Sequence, residues 1–369
     1  MAHTAIIYWG HARFSFEMLA AALIEAGSIE YYEPMLNRPI LNRGLLISAI
    51  RKTQHNIDFM VPFSALLGYS RYHEFTNVKD RVYGLLGLQT TESADTGGAS
   101  FVVPDYSLSD KACFQQVAEK IMIEGQDLSF LSRVRHVPDM QTDWPSWVPQ
   151  WNKWRFTGQI RNTIPSFKSP EERCIRKETT ENCTYLCIDG FVIDSVHQIL
   201  WQNVDSDDTR SSVPFQDYQD LISALSTVYG LHCLLNTFGE SDTFRNTGFG
   251  EWEEHYHSFM EEHAGELIYD FDSPRLDWGA RAFWGAMHKN TSDQVVFTSK
   301  DNCLGIGPEI LEEGDIIVYI YGAQVPFALR PQHGHWRFVG ECYMHDFIQS
   351  YDIKSWSKNG GQTETFRIV

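Results

Sequence analysis

The chain has 369 residues, 43% hydrophobic and 21% charged, an ordinary globular balance. That length suits two domains, or one large one burying about three-quarters of the unfolded chain's surface. Its net charge of −18, from 48 acidic against 30 Lys and Arg residues, makes nucleic acid and anionic membranes poor partners.

No apolar run of about 18 residues predicts a membrane-spanning helix. The opening MAHTAIIYWGHARF lacks the basic start, long apolar stretch and cleavage site of a signal peptide. Seven cysteines in no paired framework fit a reducing cytosol, so a cytoplasmic location is expected. Aromatic residues make up 14% of the chain, enough ring area to fill a core or to line a pocket.

In chain order, Ile6–Trp9 reads as a short apolar strand. Ser15 is a candidate cap for a helix running to about Ala26, with Met18, Leu19, Ala22 and Ala26 on one face. Residues 31–43 form a connector, and Arg43–Ile50 and Pro62–Tyr69 read as helices. In Thr76–Leu88 (TNVKDRVYGLLGL), Val82, Leu85 and Leu86 recur at helical spacing, so a short buried helix is expected. Gly84 and Gly87 there are read as sites of close packing, with Gly87 a plausible helix stop. Glu92–Ser100 is a polar, Gly-rich loop.

Val103–Ser107 (VPDYS) leads into a helix over Ser109–Glu124, capped by Ser109 and buried through Phe114, Val117, Ala118, Ile121 and Met122. Ser129–Arg135 follows, and the prolines of Trp144–Trp154 predict an extended segment. Glu171–Thr180 reads as a charged connector, and Thr184–Val196 as one or two strands. Residues 215–263 carry a helical pattern. The C-terminal third changes to period two, with strands expected at Val295–Ser299, Ile316–Tyr321, Phe327–Arg330 and Trp336–Tyr343, and turns at Gly314-Asp315 and Gly334. The fold class expected is α+β: a mainly helical region over residues 1–165, and over 166–369 a small, mostly antiparallel sheet or barrel with a helical insertion at about 200–290.

Several motifs occur in a fixed order: Arg81–Leu88 (RVYGLLGL), Pro104–Ser107 (PDYS), Pro145–Trp151 (PSWVPQW), Cys303–Pro308 (CLGIGP), Glu313–Ile316 (EGDI), Tyr321–Arg330 (YGAQVPFALR) and Val339–His345 (VGECYMH). Together they resemble the region downstream of the HET domain in fungal heterokaryon-incompatibility proteins. The Ser-Tyr-x-Trp-Gly and Trp-Ile-Asp-x-x-Cys-Ile-Asn-Gln motifs of the HET domain itself are not in this sequence, and Tyr8-Trp9-Gly10 is only superficially like the first. The resemblance implies a fungal, cytosolic protein associated with nonself recognition and regulated cell death. Residues 5–30, which in a full-length relative would pack on the HET domain, are expected to pack elsewhere, bind a partner, or join two copies of this chain.

Candidate site residues fall into three groups, each with a structural alternative. Asp80 and Arg81, and Asp105 with Tyr106, place acids beside a guanidinium or a phenol, or else serve as caps, ion pairs and turns. Trp147 and Trp151, with Trp144 and Trp154, form an aromatic wall for a ligand or a strap packed on the core. On one strand, Glu341, Tyr343 and His345 would share a face, with Arg330 nearby, and an acid, a phenol and an imidazole can do acid–base work. The alternative is a barrel rim in which Glu341 answers Arg330.

No metal site is read: His255 and His257 sit at i and i+2 on a helix and would diverge, and Cys183 and Cys187 match no zinc spacing. No cofactor signature is present. Two readings stay open. One is a regulatory or recognition module with a protein partner. The other is a cofactor-free cyclase or isomerase of secondary metabolism, acting on a small molecule in an aromatic pocket.

Overall fold

A computed structural model describes residues 6–9, 11–15, 18, 62–70, 73–91, 102–124, 128–136, 144–152, 175–180, 183–203, 215–229, 249–261, 283, 287, 291, 293–349 and 363–369. The chain divides into two compact units, one of residues 1–125 with 150–154, the other of 126–149 with 155–369. The expected helices at Leu19–Ala26 and Arg43–Ile50, the 31–43 connector and the 92–100 loop lie outside the described residues, as does most of the 5–30 segment.

In the first unit, β1 (Ile6–Trp9) and β2 (Ala12–Ser15) pair as an antiparallel hairpin, so the second strand occupies residues read as approach to a helix. Ser15 still acts as a cap does: its Oγ accepts the Met18 amide at 3.2 Å. Helix α1 spans Phe63–Ser70 and α2 spans Asp80–Tyr83. Helix α2 stops at Gly84, not at Gly87, and a side chain on Gly87 would meet nothing, so the close packing expected at Gly87 is absent. Helix α3 (Asp110–Glu119) begins as predicted, with the Ser109 hydroxyl accepting from Ala112 N, and continues as a π-helical turn over Lys120–Glu124. Its Phe114, Val117, Ala118, Ile121 and Met122 are all buried, the stripe that the helical spacing implied.

The second unit is built on a closed barrel. Strand β3 is Arg176–Thr179, β4 Thr184–Asn203, β5 Gln294–Ser299, β6 Leu304–Pro308, β7 Ile316–Ile320, β8 Phe327–Gln332, β9 His335–Glu341, β10 Tyr343–Met344 and β11 Glu364–Ile368. Strands β4, β11, β9, β8 and β7 pair in a ring, and β5, β6, β10 and β3 extend it. All these pairings are antiparallel except β9–β11, which is parallel and meets at Ile368↔Trp336.

The 20-residue β4 makes closure possible. Its Leu186–Gly190 pairs with β11, Gly190–Ser195 with β7, and Val196–Asn203 with β5. Irregularities at Val192/Asp194, Val196/Gln198 and Ile199/Trp201 break the register and let one strand bend through three neighbours. Gly190 sits at the hand-over from β11 to β7, where a Cβ would collide with the Tyr319 carbonyl. On β9, Gly340 has φ +151°, and a Cβ there would run into Pro308.

The interior is filled by Phe191, Ile193, Ile317, Tyr319, Ala328 and Val339, with Phe297, Met344 and Phe347 continuing the same core. Two helices of the insertion are described, α4 (Phe215–Tyr229) and α5 (Phe249–Glu261). Gln219 of α4 donates to the Phe259 carbonyl of α5 at 2.6 Å, and the Tyr229 hydroxyl donates to Thr298 of β5 at 3.1 Å. A last short helix, α6, spans His345–Gln349. The α+β class and the barrel are as expected. The Glu171–Thr180 connector is not: its second half is β3.

Candidate functional site

The barrel unit carries four of the polar residues singled out above, Arg330, Glu341, Tyr343 and His345. Glu341, at the end of β9, is 2% exposed, and its Oε1 accepts from Arg135 Nη2 at 2.5 Å. Arg330 of β8 is engaged elsewhere. Its Nε and Nη2 reach Asp315 at 2.9 Å each, Nη1 reaches Glu312 at 2.7 Å and Nη2 the Ile310 carbonyl at 2.6 Å. The ion pair expected between Glu341 and Arg330 is therefore replaced by three others, Glu341 with Arg135 and Arg330 with Asp315 and Glu312. The turn around Gly314 (φ +92°) brings Asp315 back to Arg330 across the strand, and Arg135 enters from a segment more than 200 positions away in sequence.

The three-residue face breaks at Cys342. Tyr343 lies on β10 and His345 begins α6, yet the Tyr343 hydroxyl and His345 Nδ1 still meet at 3.1 Å, both residues buried. Burial holds the Cys342 thiol well above its ordinary value, and burial with the Asp346 carboxylate pushes Cys303 up to about 12. Neither sulfur is a nucleophile at neutral pH.

A second cluster binds the barrel seam. Ser146, in the turn where Val148 N donates to Pro145 O, donates its amide to the Val369 oxygen at 2.8 Å. Its hydroxyl also donates to that oxygen and accepts the Phe338 amide at 2.8 Å. Its carbonyl accepts from His136 Nε2 at 2.9 Å. Ser146 thus fills the gap where the parallel β9 and β11 separate, satisfying ladder groups that have no strand neighbour there. Burial, and secondarily the Arg337 charge, lower His136 to about 4, against the main-chain groups of Ser146 and Phe338, which favour the proton.

In the first unit, Arg81 is 7% exposed and serves the backbone. Its Nη1 donates to the Ser70 carbonyl, its Nη2 to that of His73 at 2.9 Å, and its guanidinium lies 4.9 Å over the Phe75 ring. Burial lowers it to about 10. Asp80 does not cap α2; its Oδ1 accepts from the Tyr106 hydroxyl at 2.6 Å. Asp105 closes its own turn through the Ser107 amide and hydroxyl, which hold its carboxyl below its ordinary value. The Tyr83 hydroxyl donates to the Asp105 carbonyl at 3.0 Å, and its ring meets that of Tyr106 edge-on at 5.1 Å. The DRVY and PDYS motifs are thus two sides of one latch.

Trp147 and Trp151 are both fully buried and belong to different units, with Trp151 against Phe114 at 5.0 Å. Among the described residues no three His, Cys, Asp or Glu side chains are placed to hold a metal ion. No described helix is long and apolar enough to cross a membrane. Arg135, His136, Ser146 and Arg337 were not singled out from the sequence; Ser146 alone carried a signal, as the polar residue between Trp144 and Trp147.

Fold and site define a closed small β-barrel with outlying strands, whose buried polar groups are tied into one another. Residues 245–355 match the model of the Het-6 beta-barrel domain. The chain is also 24% identical over 336 residues to heterokaryon incompatibility protein 6, OR allele, of Neurospora crassa, covering 73% of this chain and 48% of that protein. It thus spans about half the length of the curated relative it matches. These two matches support a protein of the heterokaryon-incompatibility family. No solved structure matches the chain.

Proposed function

We propose that this chain is a regulatory or recognition module of fungal heterokaryon incompatibility, working through a protein partner in the cytoplasm. The observation that carries the reading is the Het-6 barrel match at residues 245–355, which spans β5 to β10 and so includes β7, β8 and β9 of the closed ring. The internal engagement of Glu341, Arg330, Tyr343 and His345 supports recognition over turnover, because groups committed to structural partners are not poised for substrate. A net charge of −18 favours a protein partner over nucleic acid or an anionic membrane.

The test is genetic. Fungal strains matched at every other locus are paired, one expressing this chain and the other not, and fused cells are scored for entry of a vital dye. A change in the dying fraction that disappears when Gly190→Val breaks the barrel is expected. Fusion viability that ignores the chain in every pairing, while intact protein accumulates, overturns the proposal.

A further inference from the structure

Arg330 and Arg337 stand directly opposite one another on β8 and β9. Directly paired residues of an antiparallel ladder project to the same face, so two cations share one face of the β8–β9 ladder. Their neighbours Leu329 and Phe338, also a register pair, are fully buried on the opposite face of the ladder. Like charges placed this way repel unless each has its own counter-charge.

Arg330 has one. Asp315 and Glu312 take its guanidinium from two sides, and the Ile310 carbonyl takes a further hydrogen. Arg337 does not. Its Nε is buried without a hydrogen-bond partner, and no ion pair to it occurs among the described residues. Burial and the Arg330 charge both push its guanidinium below the ordinary value, with the Glu312 charge only partly offsetting them. The nearby imidazole of His136 is held neutral and offers no negative charge.

A half-buried guanidinium lacking an acceptor carries a desolvation penalty that nothing here returns. The missing group has a definite chemistry. It is a planar oxyanion that accepts two parallel N–H donors from Arg337 and whose charge also relieves the repulsion from Arg330.

We propose that Arg337, backed by Arg330, is a carboxylate-binding site on the β8–β9 ladder of the barrel. The carboxylate comes either from a small free acid or from an acidic segment of another protein. The site stands on the barrel alone, independently of any role in incompatibility.

The experiment is a thermal unfolding series on the full chain at fixed ionic strength, comparing chloride, acetate, an extended peptide alternating Glu and Thr, and the same peptide with Gln for Glu. Occupancy well above Kd is expected to raise the wild-type midpoint by about 2–4 °C. Arg337→Gln is expected to lose that rise, and without ligand to unfold at or above the wild-type temperature, since it removes an uncompensated cation. Arg337→Lys, which keeps the charge but not the fork, should retain only part of the rise.

A rise with acetate supports the site and assigns it to free acids. A rise with the Glu peptide alone supports it and assigns it to a protein segment. No rise with either ligand, or an equal rise in Arg337→Gln, overturns it. A large drop in the midpoint of ligand-free Arg337→Gln also overturns it, because Arg337 would then have a partner inside the fold.

Discussion

Acidification should loosen the barrel seam through His136. In the folded chain this residue titrates at about 4, against 6.5 for an unperturbed imidazole. A histidine whose folded value is depressed binds fewer protons when folded than when unfolded over the interval between the two values. Its contribution is therefore fully present above about pH 6.5 and is lost as pH falls toward 4. Integrating the linkage from pH 7 to pH 5 gives a loss of about 2 kcal/mol from this one residue.

The cause is geometric: a nearly dry ring bonded to the Ser146 carbonyl, with the Arg337 cation close by, has no room for a second positive charge. Carboxylates elsewhere also titrate on the way down, so the wild-type slope alone does not isolate the effect. The comparison is with His136→Gln, which keeps a donor for the Ser146 carbonyl and does not titrate. Urea unfolding at half-unit steps between pH 7 and pH 5 should show the wild type losing about 2 kcal/mol more than the variant. Parallel pH dependences for the two proteins would refute the reasoning, whatever the variant costs at pH 7.

Two further substitutions test the local arguments. Ser146→Ala leaves the Phe338 amide inside the barrel without its acceptor, so a destabilisation of about 1–3 kcal/mol and faster hydrogen exchange at that amide are expected; unchanged exchange would mean that another group takes over. Arg81→Met keeps the apolar stem but strips two main-chain carbonyls of a charged donor, with an expected loss of about 2–4 kcal/mol by denaturant unfolding of the first unit; a change under about 0.5 kcal/mol would show that the carbonyls are served without it.

Local periodicity made several elements legible. Helix α3 showed in its apolar stripe and its Ser109 cap, and β5, β7, β8 and β9 in their alternation between turn residues. The turns at Gly314 and Gly334 were readable because each needs a positive φ that glycine alone adopts without strain. What escaped lacks a local signature. Strand β3 is exposed along its whole length and reads Arg-Lys-Glu-Thr, so it shows no buried face, and only its pairing with β4 makes it a strand. Leu304–Pro308 was noticed as a motif and not as β6, because two glycines and a proline argue against a strand; its close neighbours Phe297 and Cys342 are why those glycines are there. The partners of Glu341 and Arg330 were mismatched for a related reason. The sequence shows which charges exist, but a fold with a shared, bent strand decides which of them meet.

The matched span of residues 245–355 contains β5 to β10 and contains neither β4 nor β11, two of the strands that close the ring. Those strands do different work. Strand β4 bends through three neighbours, while β11 inserts between β4 and β9 and buries Phe366 and Ile368, at 1% and 0% exposure. Losing two such side chains alone costs about 5–10 kcal/mol, comparable with the whole stability of an ordinary domain. It would also strip ladder partners from Leu186–Gly190 and leave Ser146 with nothing to bridge. A chain lacking residues 363–369 is therefore expected to lose the cooperative unfolding of the barrel, whereas Phe366→Leu should lower its midpoint and keep the transition sharp. Calorimetry distinguishes the two outcomes. A shortened chain that melts as sharply and as late as the full one would mean that β11 lies against a barrel already complete without it.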